Sequence, residues 1–232
     1  MNWLSLNWPR VVSLALDHLS LSLPAIAITV IISIPLGRLA YKRPRIGEPI
    51  ASTATLIYAI PSLPLLIIIP AIFGTPLRSF ATMIIALVLY GIALLIRSAT
   101  DAFASVDSDV REAAVALGYS NMAMFWKVEL PLALPVLVAG IRVVSVATIS
   151  LVTVGALIGI PSLGTLLTDG FQRGILFEVG VGIAVTIALA IIVDALVRLV
   201  GYVGAPWDRL SARSRSAQTD QDLPPQNREV MA

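Results

Sequence analysis

Cysteine is absent from these 232 residues, and histidine occurs once, at His18. No disulfide framework, thiolate site or histidine cluster can be built from that inventory, so no metal ligand set is expected. Charge is scarce too: Asp, Glu, Lys and Arg make up 13% of the chain, against roughly 25% in an average soluble domain. No G-x-x-x-x-G-K-[ST] phosphate loop occurs, so the chain is not expected to hydrolyse ATP alone, and no catalytic residue is assigned. Nor is there a polar stretch long enough to form a soluble substrate-capture domain.

What is present is apolar. Hydrophobic residues make up 57% of the chain and the mean hydropathy is +0.90, which places it among membrane proteins. A bilayer core of about 30 Å needs about 20 apolar residues in a helix. Residues 19–37, 49–77 and 79–96 supply three such stretches. The second is longer than one span and is broken by Pro61, Pro64, Pro70 and Gly74. A fourth, 132–158, precedes "GIPSLGTLLTDGFQRG", read as non-helical, and a fifth runs from 179 through Asp194 to 203. Backbone groups left unpaired in lipid cost several kcal/mol each, and the alternation of a barrel strand is missing, so the spans are expected to be helices. The fold class is all-α, with five transmembrane helices.

Basic residues in the short loops orient such a chain. With alternating spans, Arg38, Lys42, Arg43, Arg45, Arg97, Arg111, Lys127, Arg198, Arg209, Arg213 and Arg215 share one side, and Arg10, Arg78 and Arg173 the other. The first side is expected to be cytoplasmic, with the N-terminus outside and the C-terminus inside. Residues 1–18, with Trp3, Trp8 and Arg10, suit a short interfacial helix. "GRLAYKRPR" after the first apolar run favours a retained span over a cleaved signal. The transmembrane domain is expected over 19–205, and the polar 206–232 as a disordered cytoplasmic tail.

The central loop, 101–131, is the one amphipathic region: "DVREAAVALGYSNMAMFWKVELP" covers 109–131. Residues 110–117 suit a helix, which Gly118 ends as a left-handed residue. Ser120 can cap a second helix with Met124, Phe125 and Val128 on one stripe, and Pro131 opens the next span. Two short helices on one side of a membrane form a docking surface, with small residues at Ala113 and Ala114 and apolar knobs at Leu117 and Phe125.

The spacing of Glu112, Ala113, Ala114, Gly118, Val128, Leu130 and Pro131 resembles the cytoplasmic signature of ABC importer permeases: Glu-Ala-Ala, three residues, Gly, nine residues, Ile-x-Leu-Pro. Val128 stands in place of Ile. The runs "KVELPLALPVLVAGIR", "IPSLPLL" and "ALIGIPSLG" look like those of the permeases for glycine betaine, carnitine and choline. Methionine and other amino-acid permeases share much of the pattern.

The resemblance implies a type I importer of methionine-permease-like fold, whose loop provides coupling helices for a cytosolic ATPase dimer. ATP and Mg would be bound by that partner, with no cofactor in this chain. It also implies an extracytoplasmic substrate-binding protein, residence in a bacterial or archaeal cytoplasmic membrane, and no nucleic-acid partner. Five spans enclose too little space for a pathway, so a second permease, identical or paralogous, is expected. The competing classes are a stand-alone secondary transporter or channel, which would need its own coupling residues, and a scaffold subunit without a pathway.

Within the spans, Ile60, Pro61, Ser62 and Pro64 at the first helix break, with Ser150 and Thr153 further on, are candidate pathway residues. "IPSL" recurs at 160–163 and marks a second expected break. Arg142 is expected near the membrane interface, and Asp194 is expected to pair with Arg198 one helical turn away.

Overall fold

The computed structural model describes residues 2–204. The tail expected over 206–232 lies outside them. Helix α1 (Asn2–Lys42) is a single element of 41 residues, about 60 Å long at 1.5 Å per residue. It passes through residue 18 without a break, so the separate helix expected over 1–18 is the leading part of α1. Asp17 and His18 interrupt the apolar run in the sequence, but not the helix. His18 is wholly buried, and its Nε2 donates to the Ile149 carbonyl at 3.0 Å. A residue that looks like a span boundary is therefore a packing residue with a distant partner. Val11 and Leu14, nearer the N-terminus, pack with Leu163, Leu166 and Leu189.

Helices α2 (Pro44–Ala59) and α3 (Ser62–Phe73) meet at the first "IPSL" with a bend of 111°. Pro61 explains the break: it has no N–H to continue α2, and it disfavours helical geometry at Ile60, which is extended at φ −70°, ψ 128°. Helix α4 (Phe80–Ala104) starts at Ser79, whose side chain accepts the Thr82 N–H. It packs along α1 so closely that a Cβ on Gly91 would lie 2.4 Å from Thr29 Oγ1; only glycine permits that approach.

Beyond the central loop, with its helices α5 (Ser108–Ala116) and α6 (Asn121–Met124), a π-helical turn (Phe125–Glu129) runs into α7 (Leu130–Val152) and a 3-10 segment (Thr153–Ile158). The second "IPSL" breaks the chain as expected. The segment after it differs from expectation: α8 (Gly164–Gln172) is a helix, because Leu163 and Leu166 find an apolar cover on α1. The last helix, α9, covers Leu176–Gly204. Among the described residues, four helical stretches are long and apolar enough to span a bilayer, and the bent α2–α3 pair, counted once, makes a fifth.

One expected pairing is replaced. Asp194 on α9 accepts two hydrogen bonds from Arg142 on α7, at 2.7 and 2.9 Å, rather than pairing with Arg198 as its main partner. A planar guanidinium matches a carboxylate with two parallel bonds, a stronger and more directional contact than a turn-spaced surface pair. The two helices thus carry a neutralised pair across their contact instead of a lone cation.

Candidate functional site

The central loop is built from local signals outward. Asp107 caps α5, its Oδ1 accepting the Asp109 N–H at 2.9 Å. The helix closes with the Gly118 N–H on the Val115 carbonyl at 2.9 Å and the Tyr119 N–H on the Ala114 carbonyl at 3.1 Å. This is the Schellman arrangement, which needs a left-handed residue at the turn; Gly118 supplies it with φ +80°. Ser120 then caps α6 by accepting the Ala123 N–H. The second short helix is not free-standing, since α6 continues through the π turn into α7.

A buried carboxylate fixes this loop to the bundle. Glu129 is 1% exposed and faces three cations: Arg38 Nε at 2.6 Å, Lys42 Nζ at 3.4 Å and Arg111 Nε at 3.6 Å. Arg38 and Lys42 come from the end of α1, and Arg111 from α5. Each arginine does more than neutralise charge. Arg38 donates to the Asn121 carbonyl at 2.9 Å and lies 4.8 Å from the Phe125 ring centre. Arg111 donates to the Tyr41 hydroxyl and the Val106 carbonyl, both at 2.8 Å, and to the Phe103 carbonyl. Its guanidinium stands 4.6 Å from the Tyr41 ring centre. Buried charge is tolerated when paired and hydrogen-bonded; here Arg111 Nε is held by charge alone, without a hydrogen bond. The result is a loop held at both ends to α1.

The outer face of the loop is apolar. Leu117 is 78% exposed and Trp126 60%, with Val115, Tyr119 and Met122 also turned to solvent. Glu112 and Ala113 are exposed, Ala114 is buried, and Val128, Leu130 and Pro131 are half-buried. Phe125 departs from its expected place as an exposed knob. It is 8% exposed and lies 6.1 Å from Phe103, centre to centre. The neighbouring Trp126 takes the outward position, because the turn from one helical residue to the next carries a side chain off the buried stripe.

A second feature lies within the bundle. At the α2–α3 break a cavity of about 310 Å³ is lined by Tyr58, Ile60, Pro61, Ser62, Tyr90 and Thr148, among others. Three of the expected pathway residues, Ile60, Pro61 and Ser62, are therefore brought together here; Pro64, Ser150 and Thr153 do not line it. The Tyr90 hydroxyl donates to the Ile60 carbonyl, satisfying an acceptor that the break leaves without a helical partner. Tyr58 stands edge-on to Tyr90, with ring centres 6.0 Å apart and planes at 86°. Glu129, Arg38, Arg111, Tyr58 and Tyr90 went unassigned in the sequence because each matters through a partner far along the chain.

Comparison with known proteins completes the picture. Residues 29–202 match the family described as binding-protein-dependent transport system inner membrane component. The osmoprotectant import permease protein OsmW of Salmonella typhimurium is 30% identical over 209 residues, covering 86% of this chain and 94% of that protein. The glycine betaine/proline betaine permease protein ProW of Escherichia coli is 29% identical over 82% of this chain, which spans about half (52%) of ProW's length. Among solved structures, the inward-facing MetNI methionine ABC transporter matches with a TM-score of 0.68 at 22% identity, covering 82% of this chain and 92% of that one. The fold is thus that of a type I ABC importer permease, and the chain belongs to the family of binding-protein-dependent inner membrane transport components.

Proposed function

We propose that this chain is one of two permease subunits of an ATP-driven importer carrying a small osmoprotectant with a quaternary ammonium group, such as glycine betaine, carnitine or choline. The observation that carries the substrate is the likeness to OsmW, which extends over most of both chains. Likeness to the methionine transporter concerns the fold and leaves the substrate open.

In this reading the basic end of the bundle faces the cytosol, with the N-terminus outside. Leu117, Tyr119, Met122 and Trp126, flanked by Glu112 and Ala113, dock into a cytosolic ATPase dimer that binds ATP and Mg. Gly118 sets the angle of the loop. Ala114, Phe125, Val128, Leu130 and Pro131 support that surface from behind. The exposed apolar side chains favour this assignment, since such a patch on a cytosolic loop marks an interaction site. An extracytoplasmic binding protein delivers substrate, and a second permease completes the pathway between the subunits.

The test is reconstitution with the cognate ATPase and binding protein in liposomes. ATP-dependent uptake of glycine betaine, carnitine or choline is expected. Uptake of methionine with none of the three would overturn the substrate assignment. A permease that never associates with an ATPase would overturn the function itself.

A further inference from the structure

We infer that the Tyr58–Tyr90 corner at the α2–α3 break is a mid-bundle subsite for the quaternary ammonium group of the transported solute. The inference rests on the osmoprotectant reading above and gives it a place in this chain.

Depth is the first argument. Tyr90 sits 10 residues from Phe80 and 14 from Ala104, the ends of α4, or about 15 and 21 Å along the helix. The cavity therefore lies near the middle of a span, where α2, α3, α4 and α7 converge on the break. Irregular backbone at that depth is tolerated where it packs in protein or lines a cavity. Here it does line one, and its freed Ile60 carbonyl is occupied by Tyr90.

Chemistry is the second. None of the residues lining the cavity is charged, so a cation entering it meets no carboxylate. A trimethylammonium group has no N–H to donate, and hydrogen-bond acceptors alone recognise it poorly. Aromatic faces attract it through the ring quadrupole, and tyrosine is among the rings that do so well. Two rings at 86° with centres 6.0 Å apart form a corner rather than a closed cage. Donation from the Tyr90 hydroxyl to a carbonyl both fixes that ring's orientation and enriches its π electrons. A cavity of about 310 Å³ is at the small end of ligand-site volumes, suited to a solute of this size. Two rings hold a cation weakly, and a site on a path must release what it binds.

The experiment uses the reconstituted complex with binding protein and choline or glycine betaine as the solute. Position 58 is changed to Phe, to Leu, and to phenylalanines bearing increasing numbers of ring fluorines, which empty the π face with little change in size. Membrane level and ATPase co-purification are matched throughout. Tyr58→Phe is expected to keep uptake within about twofold, whereas Tyr58→Leu and the most fluorinated ring lower it about tenfold, stepwise across the series. A flat response across the fluorine series, or Tyr58→Leu transporting like the parent, overturns the subsite while leaving the importer reading intact. A parent complex that moves methionine but no quaternary ammonium solute overturns the substrate reading, and this site with it.

Discussion

Each end of the bundle holds a buried glutamate, and the two are partnered in opposite ways. At the basic end, Glu129 is shared by three cations, two of which also stack on aromatic rings. At the other end, Glu178 is 0% exposed. One of its oxygens accepts from Arg10 at 2.8 Å, while the other has only Arg173 at 4.0 Å and no hydrogen bond. Arg10 is divided between Glu178 and Asp169. Three cations surround the first carboxylate, whereas the second shares Arg10 with Asp169 and meets Arg173 only at 4.0 Å. The basic end is thus the more tightly specified, and it is the end where the loop carries its exposed apolar surface.

Removing the anion from the basic cluster should have the largest effect. Glu129→Ala leaves Arg38, Lys42 and Arg111 facing one another, and should cost about 3–5 kcal/mol, the range for breaking a buried ion pair. Thermal unfolding of the purified permease should show it, and a variant as stable as the parent would refute the clamp. Removing the cation from the other cluster should cost less. Arg10→Ala is expected to lower stability by about 1–3 kcal/mol in the same assay, since Arg10 is part-exposed and Arg173 stays beside Glu178. A loss equal to that of Glu129→Ala would erase the contrast between the two ends.

Two further variants separate shape from surface. A Cβ on Gly118 meets no atom within 4 Å, so Gly118→Val acts only through its positive φ, with about 1–2 kcal/mol of strain. Uptake should nonetheless fall sharply at matched membrane level, while Gly118→Asn, which tolerates that conformation, recovers most of it. Normal transport by the valine variant would overturn the proposed coupling role of the turn. The smallest stability change is expected for Trp126→Ala, within about 0.5 kcal/mol as for an exposed side chain. On the proposed reading the variant should nevertheless lose the ATPase on co-purification, and retention would remove Trp126 from the proposed docking surface.

Much of this was legible in the sequence, for reasons that are local. Proline in both "IPSL" stretches breaks helices wherever it falls, and Gly118 followed by Ser120 spells a stop and a start over three residues. Apolar run length located the five spans. What stayed hidden depends on partners remote in the chain. His18 reads as a boundary until the Ile149 carbonyl accepts its hydrogen bond. Asp194 has a plausible neighbour in Arg198, but the geometry favours Arg142, 52 residues away. Phe125 and Trp126 are both large aromatics, and the packing of Phe103 shows which faces inward. Glu129 occupies the unspecified position of Val-x-Leu-Pro, where no pattern would have drawn notice.

Arg10 and Arg38, which reach the two buried glutamates, belong to the same uninterrupted helix and stand 28 residues apart, about 42 Å. A rod pinned near both tips can tilt or swing about them, but it cannot slide along its own axis without breaking both ion pairs at once. Motion at the basic end would therefore reach the far side of the bundle as a change in the angle of this strut, without a shift in its register.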